Sequence, residues 1–170
     1  MKKSQKGFTI IEVALVLAVG ALIFLVVFLA VPALQRNQRN DARKRDQSQI
    51  VEAITSYIAN NPADEIKKGN YKVYEGGHGT GDSFGKYIDT LSNNTEVVQV
   101  LDAGELKGLD LSPKASSKMK QTLRRTIYVV PQTVCDEKHH DTLDGSTRQA
   151  AVIIHNETAK GFDRLCMSAN

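Results

Sequence analysis

The most unusual chemical group in this chain is Glu12, a carboxylate five residues into an apolar run that opens "FTIIEVALVLAVG". An ionisable side chain in a segment fit for hydrocarbon is a functional residue by default. It calls for a positive partner out of water, where opposite charges attract strongly. Ser83 is a second candidate. It lies in "GDSFG" (Gly81–Gly85), which fits G-x-S-x-G, just after "HGTG" (His78–Gly81), an oxyanion-hole pattern; Asp136 and His139 add D-x-x-H. Together these would be the parts of an esterase. A nucleophile elbow, however, needs a buried strand before its Ser, and residues 75–81 are mostly Gly. The chain also lacks the repeated βαβ pattern of such a fold, so a flexible loop is the plainer reading. A third group is "CDEKHHDTLDG", with Asp136, Glu137, His139, His140, Asp141 and Asp144 close together. Its spacing fits neither an EF-hand nor a zinc motif. It reads as a solvated loop, and neither metal nor cofactor is expected. Gly85-Lys86 is followed by Tyr87, with no Gly at the upstream Walker A position, so any ATPase must be a partner. His155, at the end of an apolar strand, is most simply structural.

The element that must hold Glu12 is a long helix. Val13 to Leu34 is 22 residues without a charge or side-chain amide. At about 1.5 Å per residue this spans roughly 33 Å, enough for a bilayer core. A signal-peptide core would be about half that length. Val31-Pro32-Ala33 still offers a small-residue cleavage site, leaving open a secreted chain that starts at Leu34. The formal charge of +3 comes from 22 Lys+Arg against 19 Asp+Glu. Lys2, Lys3 and Lys6 precede the apolar run and account for the whole excess, so no nucleic-acid surface is indicated.

Beyond Leu34 the composition turns polar in "QRNQRNDARKRDQSQ", and Ile50, Val51, Ile54, Tyr57 and Ile58 then fall on one helical face. The spacing predicts an amphipathic helix to about Ala59, ended by Asn60-Asn61-Pro62. One helix thus runs from about Phe8 to Ala59, with Pro32 and Gly20 as its weak points. Residues 61–82 read as linker, and Ser83 to Leu91 as a short helix. Strands are predicted at Glu96–Leu101, Thr126–Val130, Ala150–His155 and Asp163–Met167, with Asn156–Gly161 as a loop. Pro131 marks Thr126–Val130 as an edge or bulged strand, and Lys114–Arg125 reads as a basic helix. The fold class is α+β: a long helix whose stripe at Ile50, Ile54, Tyr57 and Ile58 covers the apolar face of a small antiparallel sheet. Cys135 and Cys166 lack C-x-x-C spacing. If this part is exported, one disulfide is the economical reading; two buried thiols are the alternative for a cytosolic domain.

The stretch "KGFTIIEVALVLAVGALIFLVV" resembles the start of type IV pilins and pseudopilins: Lys6-Gly7, then Phe8, Thr9, two apolar residues and Glu12, then a long apolar helix. The close similarity covers about the first 30 residues. The resemblance implies a prepilin with a leader at 1–7, a membrane and assembly half of the helix at 8–34, an amphipathic half at 35–60, and a head at 61–170. It implies cleavage between Gly7 and Phe8 by a prepilin peptidase and N-methylation of Phe8. Glu12 would pair with the freed Phe8 amine of a neighbouring subunit, working as an assembly latch; a carboxylate snorkelling at the interface is the plainer alternative. The helix is expected to break between Gly20 and Pro32 in a filament.

The implied partners are other copies of the chain, the lipid bilayer before assembly, a membrane platform protein and an assembly ATPase. The implied location is the cytoplasmic membrane as a single-pass precursor with its amino end inside, then an extracellular filament. Five basic residues, Arg36, Arg39, Arg43, Lys44 and Arg45, follow the apolar run and three precede it. Flanking charge alone favours the reverse orientation, but long carboxy-terminal domains cross regardless. The expected function is structural and not enzymatic: a pilus subunit in adhesion, motility or DNA uptake. The alternatives are a minor pilin or pseudopilin of a secretion or competence machine and, in another class, an exported hydrolase using Ser83.

Overall fold

The computed structural model describes residues 7–72, 84–88, 91–92, 95–109, 114–136, 141–158 and 160–170. The chain divides into two units, Met1–Asn37 and Gln38–Asn170. Helix α1, Ile10–Asn60, contributes to both. Its first part is apolar on every side and exposed: Phe8, Ile10, Ile11 and the large apolar residues from Val13 to Leu34 all face outward. Among the described residues this is the one helix long and apolar enough to cross a membrane.

In the second unit, a five-stranded sheet runs in the order β1 (Gly69–Lys72), β2 (Val97–Val100), β3 (Thr126–Pro131), β6 (Ala150–Thr158), β7 (Gly161–Ala169). All neighbours are antiparallel except β2 and β3, which pair in parallel from Val97↔Thr126 to Val100↔Val129. A parallel pair needs a crossover, and two short helices lie within it, α2 (Ala103–Lys107) and α3 (Ser117–Arg125). The Asp102 N–H donates to Glu105 Oε2 at 2.9 Å to start α2, and the Met119 N–H donates to Ser116 Oγ at 3.1 Å to start α3. β4 (Thr133–Asp136) and β5 (Asp141–Asp144) form a separate hairpin.

The carboxy-terminal part of α1 covers one sheet face. Ile50, Ala53, Ile54, Tyr57 and Ile58 pack with Val98, Val100, Ile127, Val129, Val152 and Ile154. The three isoleucines alone bury roughly 5–9 kcal/mol of transfer free energy as an upper bound. That is comparable with the whole stability of a small domain, so the sheet depends on the helix. The other face is apolar too: Tyr128, Val130, Ala151 and Ile153 pack with Leu101, Leu106 and Leu123 from the crossover. The expectation of a single covered face is therefore corrected, because a strand buried on both sides carries an unbroken apolar run instead of alternating. "IYVV" (Ile127–Val130) and "AAVII" (Ala150–Ile154) do so.

Further departures from the sequence reading have local causes. β3 is central, not an edge. Pro131 is tolerated because it is the last residue of the strand, after which Gln132 turns the chain with φ 57°. The predicted loop Asn156–Gly161 is largely strand: β6 runs on to Thr158 and β7 starts at Gly161, whose φ of 131° is open to Gly. The supposed linker contains β1, and the supposed solvated loop contains the end of β4 and all of β5. In both, single ladders satisfy the backbone with few apolar residues. The helix expected from Ser83 is a 3₁₀ turn at Phe84–Tyr87, with Phe84 fully buried.

Candidate functional site

At the amino end, Phe8 is exposed at 87% and a Cβ placed on Gly7 would meet nothing within 4 Å, so this peptide bond is open to approach. Thr9 immediately precedes α1. Its N–H and its Oγ1 hydroxyl both donate to Glu12 Oε2 at 2.8 Å, and the Glu12 N–H faces Thr9 Oγ1 at 3.3 Å. This is a reciprocal capping box on T-x-x-E, which satisfies two donors at the helix start. Both strong bonds fall on Oε2. Glu12 Oε1 has no partner among the described residues, so the carboxylate can keep its cap and still accept a cation. The Thr9 role was legible in "TIIE" but was missed, because the acid was read against its apolar surroundings alone. Gly20 and Pro32 both lie inside α1. The helix is continuous through both.

In the second unit, α1 is tied to the sheet by polar side chains that no apolar pattern reveals. Arg39 donates from Nε and Nη2 to the two oxygens of Glu157 at 2.9 and 3.0 Å, and Arg124 Nη2 lies 3.3 Å from Glu157 Oε2. The Asn40 amide donates to the Glu157 carbonyl and its oxygen accepts the Glu157 N–H, each at 2.9 Å. Arg43, 2% exposed, donates to the carbonyls of His155 and Leu123. Gln47 Nε2 donates to the carbonyls of Val152 at 2.7 Å and Leu165 at 3.0 Å. Asp46 accepts from the Ser92 N–H, the Ser92 hydroxyl and the Thr95 hydroxyl at 2.8, 2.6 and 2.5 Å. The buried stripe of α1 thus extends back from Ile50 through Gln47, Asp46 and Arg43. Its three-to-four spacing was present in the sequence, but in polar residues.

Burial alone would raise the Glu157 carboxyl. The hydrogen bonds from Arg39 and the charges of Arg124, Arg39 and Arg43 outweigh it and hold the group below the usual carboxylate value. Burial draws the Arg43 guanidinium down to about 10, still protonated at neutral pH. His155 is fully buried against the Tyr128 ring, with centroids 5.3 Å apart, and neither ring nitrogen has a partner among the described residues. Burial, then the positive charges of Arg164 and Arg43, push it down to about 3, so it is neutral. A structural histidine is what this geometry describes.

Cys135 in β4 and Cys166 in β7 form a disulfide with Cα atoms 5.6 Å apart, which staples the hairpin to the sheet edge. The Cys135 N–H donates to Ser168 Oγ at 2.9 Å beside it. Of the esterase and cation-site residues, His78, Ser83, Glu137, His139 and His140 lie outside the described residues. Asp136 is in β4 opposite Asp141. Among the described residues no cluster of three metal-ligating side chains occurs.

Residues 2–28 match the family model described as the prokaryotic N-terminal methylation motif. No curated protein and no solved structure matches the chain. The motif spans Gly7, Phe8, the Thr9–Glu12 box and most of the exposed apolar helix. Its presence supports the type IV pilin and pseudopilin family, and together with the exposed apolar helix it fits a membrane-anchored precursor.

Proposed function

We propose that the chain is the membrane-held precursor of a structural subunit of a type IV pilus-like filament, not an enzyme. A prepilin peptidase cuts it between Gly7 and Phe8, and the new Phe8 amine is methylated. Residues 8–34 are stored in the bilayer and then packed against the same segment of other copies, with 35–60 carrying the head, 61–170. The observation that carries this reading is the pairing of an entirely exposed apolar surface with a carboxylate that still has an unpartnered oxygen. An apolar surface of that length needs lipid or a second helix to cover it. Glu12 needs a cation once it leaves water, and the Phe8 amine of a neighbouring copy supplies one.

Lipid already provides an apolar environment, so moving the helix from bilayer to filament gains little from transfer alone. External work from an assembly ATPase acting through a platform protein is therefore part of the scheme. Local opening of the helix between Gly20 and Pro32, where the backbone is weakest, belongs to the same reading, as the likeness to pilins implies.

Intact-mass and N-terminal analysis of material sheared from cells tests this. A chain beginning at methylated Phe8 in abundant filaments is expected. A retained Met1, or a start at Leu34, would overturn it. The methylation motif fits a minor pilin or pseudopilin equally well, and that reading predicts the same Phe8 start without abundant sheared filaments.

A further inference from the structure

A cleft of about 490 Å³ opens within the second unit, lined by Arg39 and Arg43 of α1, Ser117, Gln121, Arg124 and Arg125 of α3, and Glu157 of β6. That volume is typical of a small-molecule site. Its lining carries four guanidiniums and one carboxylate. Glu157 takes two donors of Arg39 and one of Arg124, and Arg125 pairs outward with Glu96. Among the described residues, Arg39 Nη1, the remaining Arg124 nitrogens, the Ser117 hydroxyl and the Gln121 amide have no hydrogen-bond partner. Glu157 holds the Arg39 and Arg124 forks, and Arg43 is fixed beside them by the carbonyls of His155 and Leu123, so the cleft retains an excess of positive charge and unspent donors. Planar guanidinium forks match phosphate oxygens in pairs.

The covalent chain indicates which phosphate is at hand. Arg39 stands five residues after Leu34, the last residue of the apolar run. Even fully extended, five residues reach no more than about 18 Å. While residues 8–34 sit in a bilayer, the chain therefore tethers Arg39 of the cleft within about 18 Å of the hydrocarbon edge, in reach of the lipid headgroups. We propose that the Arg39–Arg124–Ser117–Gln121 cleft binds the phosphate of an anionic phospholipid and holds the head on the membrane surface until the subunit is extracted. This rests on the membrane-held reading above.

The test is native mass spectrometry of the full chain in detergent, titrated with short-chain phosphatidylglycerol, short-chain phosphatidylcholine or sodium phosphate. Phosphatidylglycerol should bind at least tenfold more tightly than phosphatidylcholine. Gln121→Glu, which places a carboxylate in the cleft without removing a hydrogen bond described above, should weaken it roughly fivefold, as should Arg124→Gln. Arg36→Gln, a basic residue outside the cleft, should change it less than twofold. Equal binding of the two lipids, or an equal loss in Arg36→Gln, would overturn the cleft. So would sodium phosphate binding as tightly as the anionic lipid, which would make it a free-phosphate site. Unchanged lipid binding with failed filament assembly in Gln121→Glu would assign the cleft to a neighbouring subunit instead. Alkaline extraction of membranes separates the two failures: a chain that remains with the bilayer yet shows no lipid preference refutes the cleft alone.

Discussion

Arg39 and Glu157 stand 118 residues apart in sequence and meet through two hydrogen bonds of 2.9 and 3.0 Å, one to each carboxylate oxygen. The pair joins the helix that bears the exposed apolar segment to β6, the strand between central β3 and edge strand β7. Its worth is moderated by exposure, because the Arg39 side chain is 39% accessible while Glu157 is 5%. A double-mutant cycle with Arg39→Ala and Glu157→Gln should give a coupling of about 1 kcal/mol. The chain has no Trp, so near-UV circular dichroism of its tyrosines during urea unfolding is the readout. A coupling near zero would mean that the pair is decorative.

The neutral, buried His155 makes stability depend on acid. Its folded pKa of about 3 lies well below the ordinary value of 6.5, so between these limits the unfolded chain binds the extra proton. This contribution is complete above pH 6.5 and declines by roughly 1.4 kcal/mol per pH unit as the pH falls toward 3. Glu157, also depressed, adds its own loss below about pH 4.5. His155→Phe should be within about 1 kcal/mol of the parent at pH 7, since neither ring nitrogen is bonded. It should lose the slope between pH 6.5 and 4.5. If that slope persists in urea titrations of the variant, another group is responsible.

Cys135 and Cys166 close a loop with a sequence separation of 31. In the chain-entropy account the bond contributes about 3–4 kcal/mol. Cys135→Ser with Cys166→Ser should lower stability by that order. It should also raise hydrogen exchange first in β4 and β5, whose own ladder is four residues long. Uniform exchange across the whole sheet would argue against a local staple.

Glu12 has two candidate roles, the cap on its own helix and the latch to another copy, and one substitution separates them. Glu12→Gln retains a carbonyl oxygen for the Thr9 donors but removes the charge. If the latch governs assembly, Glu12→Gln and Glu12→Ala should both be cleaved after Gly7 and both fail to enter filaments, as read by immunoblot of sheared fractions. Normal incorporation of Glu12→Gln would leave the cap as its role.

Sequence alone determined the features that rest on local covalent chemistry and one-dimensional period. These are the apolar stretch, the acid within it, the helix continuing through Ile50, Ile54, Tyr57 and Ile58, and the α+β class. Such patterns are legible because helix period and transfer free energy act residue by residue. Tertiary structure decided what depends on partners distant in the chain. β3 became central because β2 reached it in parallel through a two-helix crossover, although Pro131 at its end looked like an edge signal. Residues with weak intrinsic preference became β1, β4 and β5 because neighbouring strands completed their ladders. Arg39, Arg43, Asp46 and Gln47, which look like solvated residues in the sequence, became the tie between helix and sheet. The groups that neutralise or satisfy them (Glu157, the carbonyls of His155 and Val152, the loop at Ser92) lie 46 to 118 residues away. A polar side chain is buried only where a partner meets it, and folding alone brings that partner.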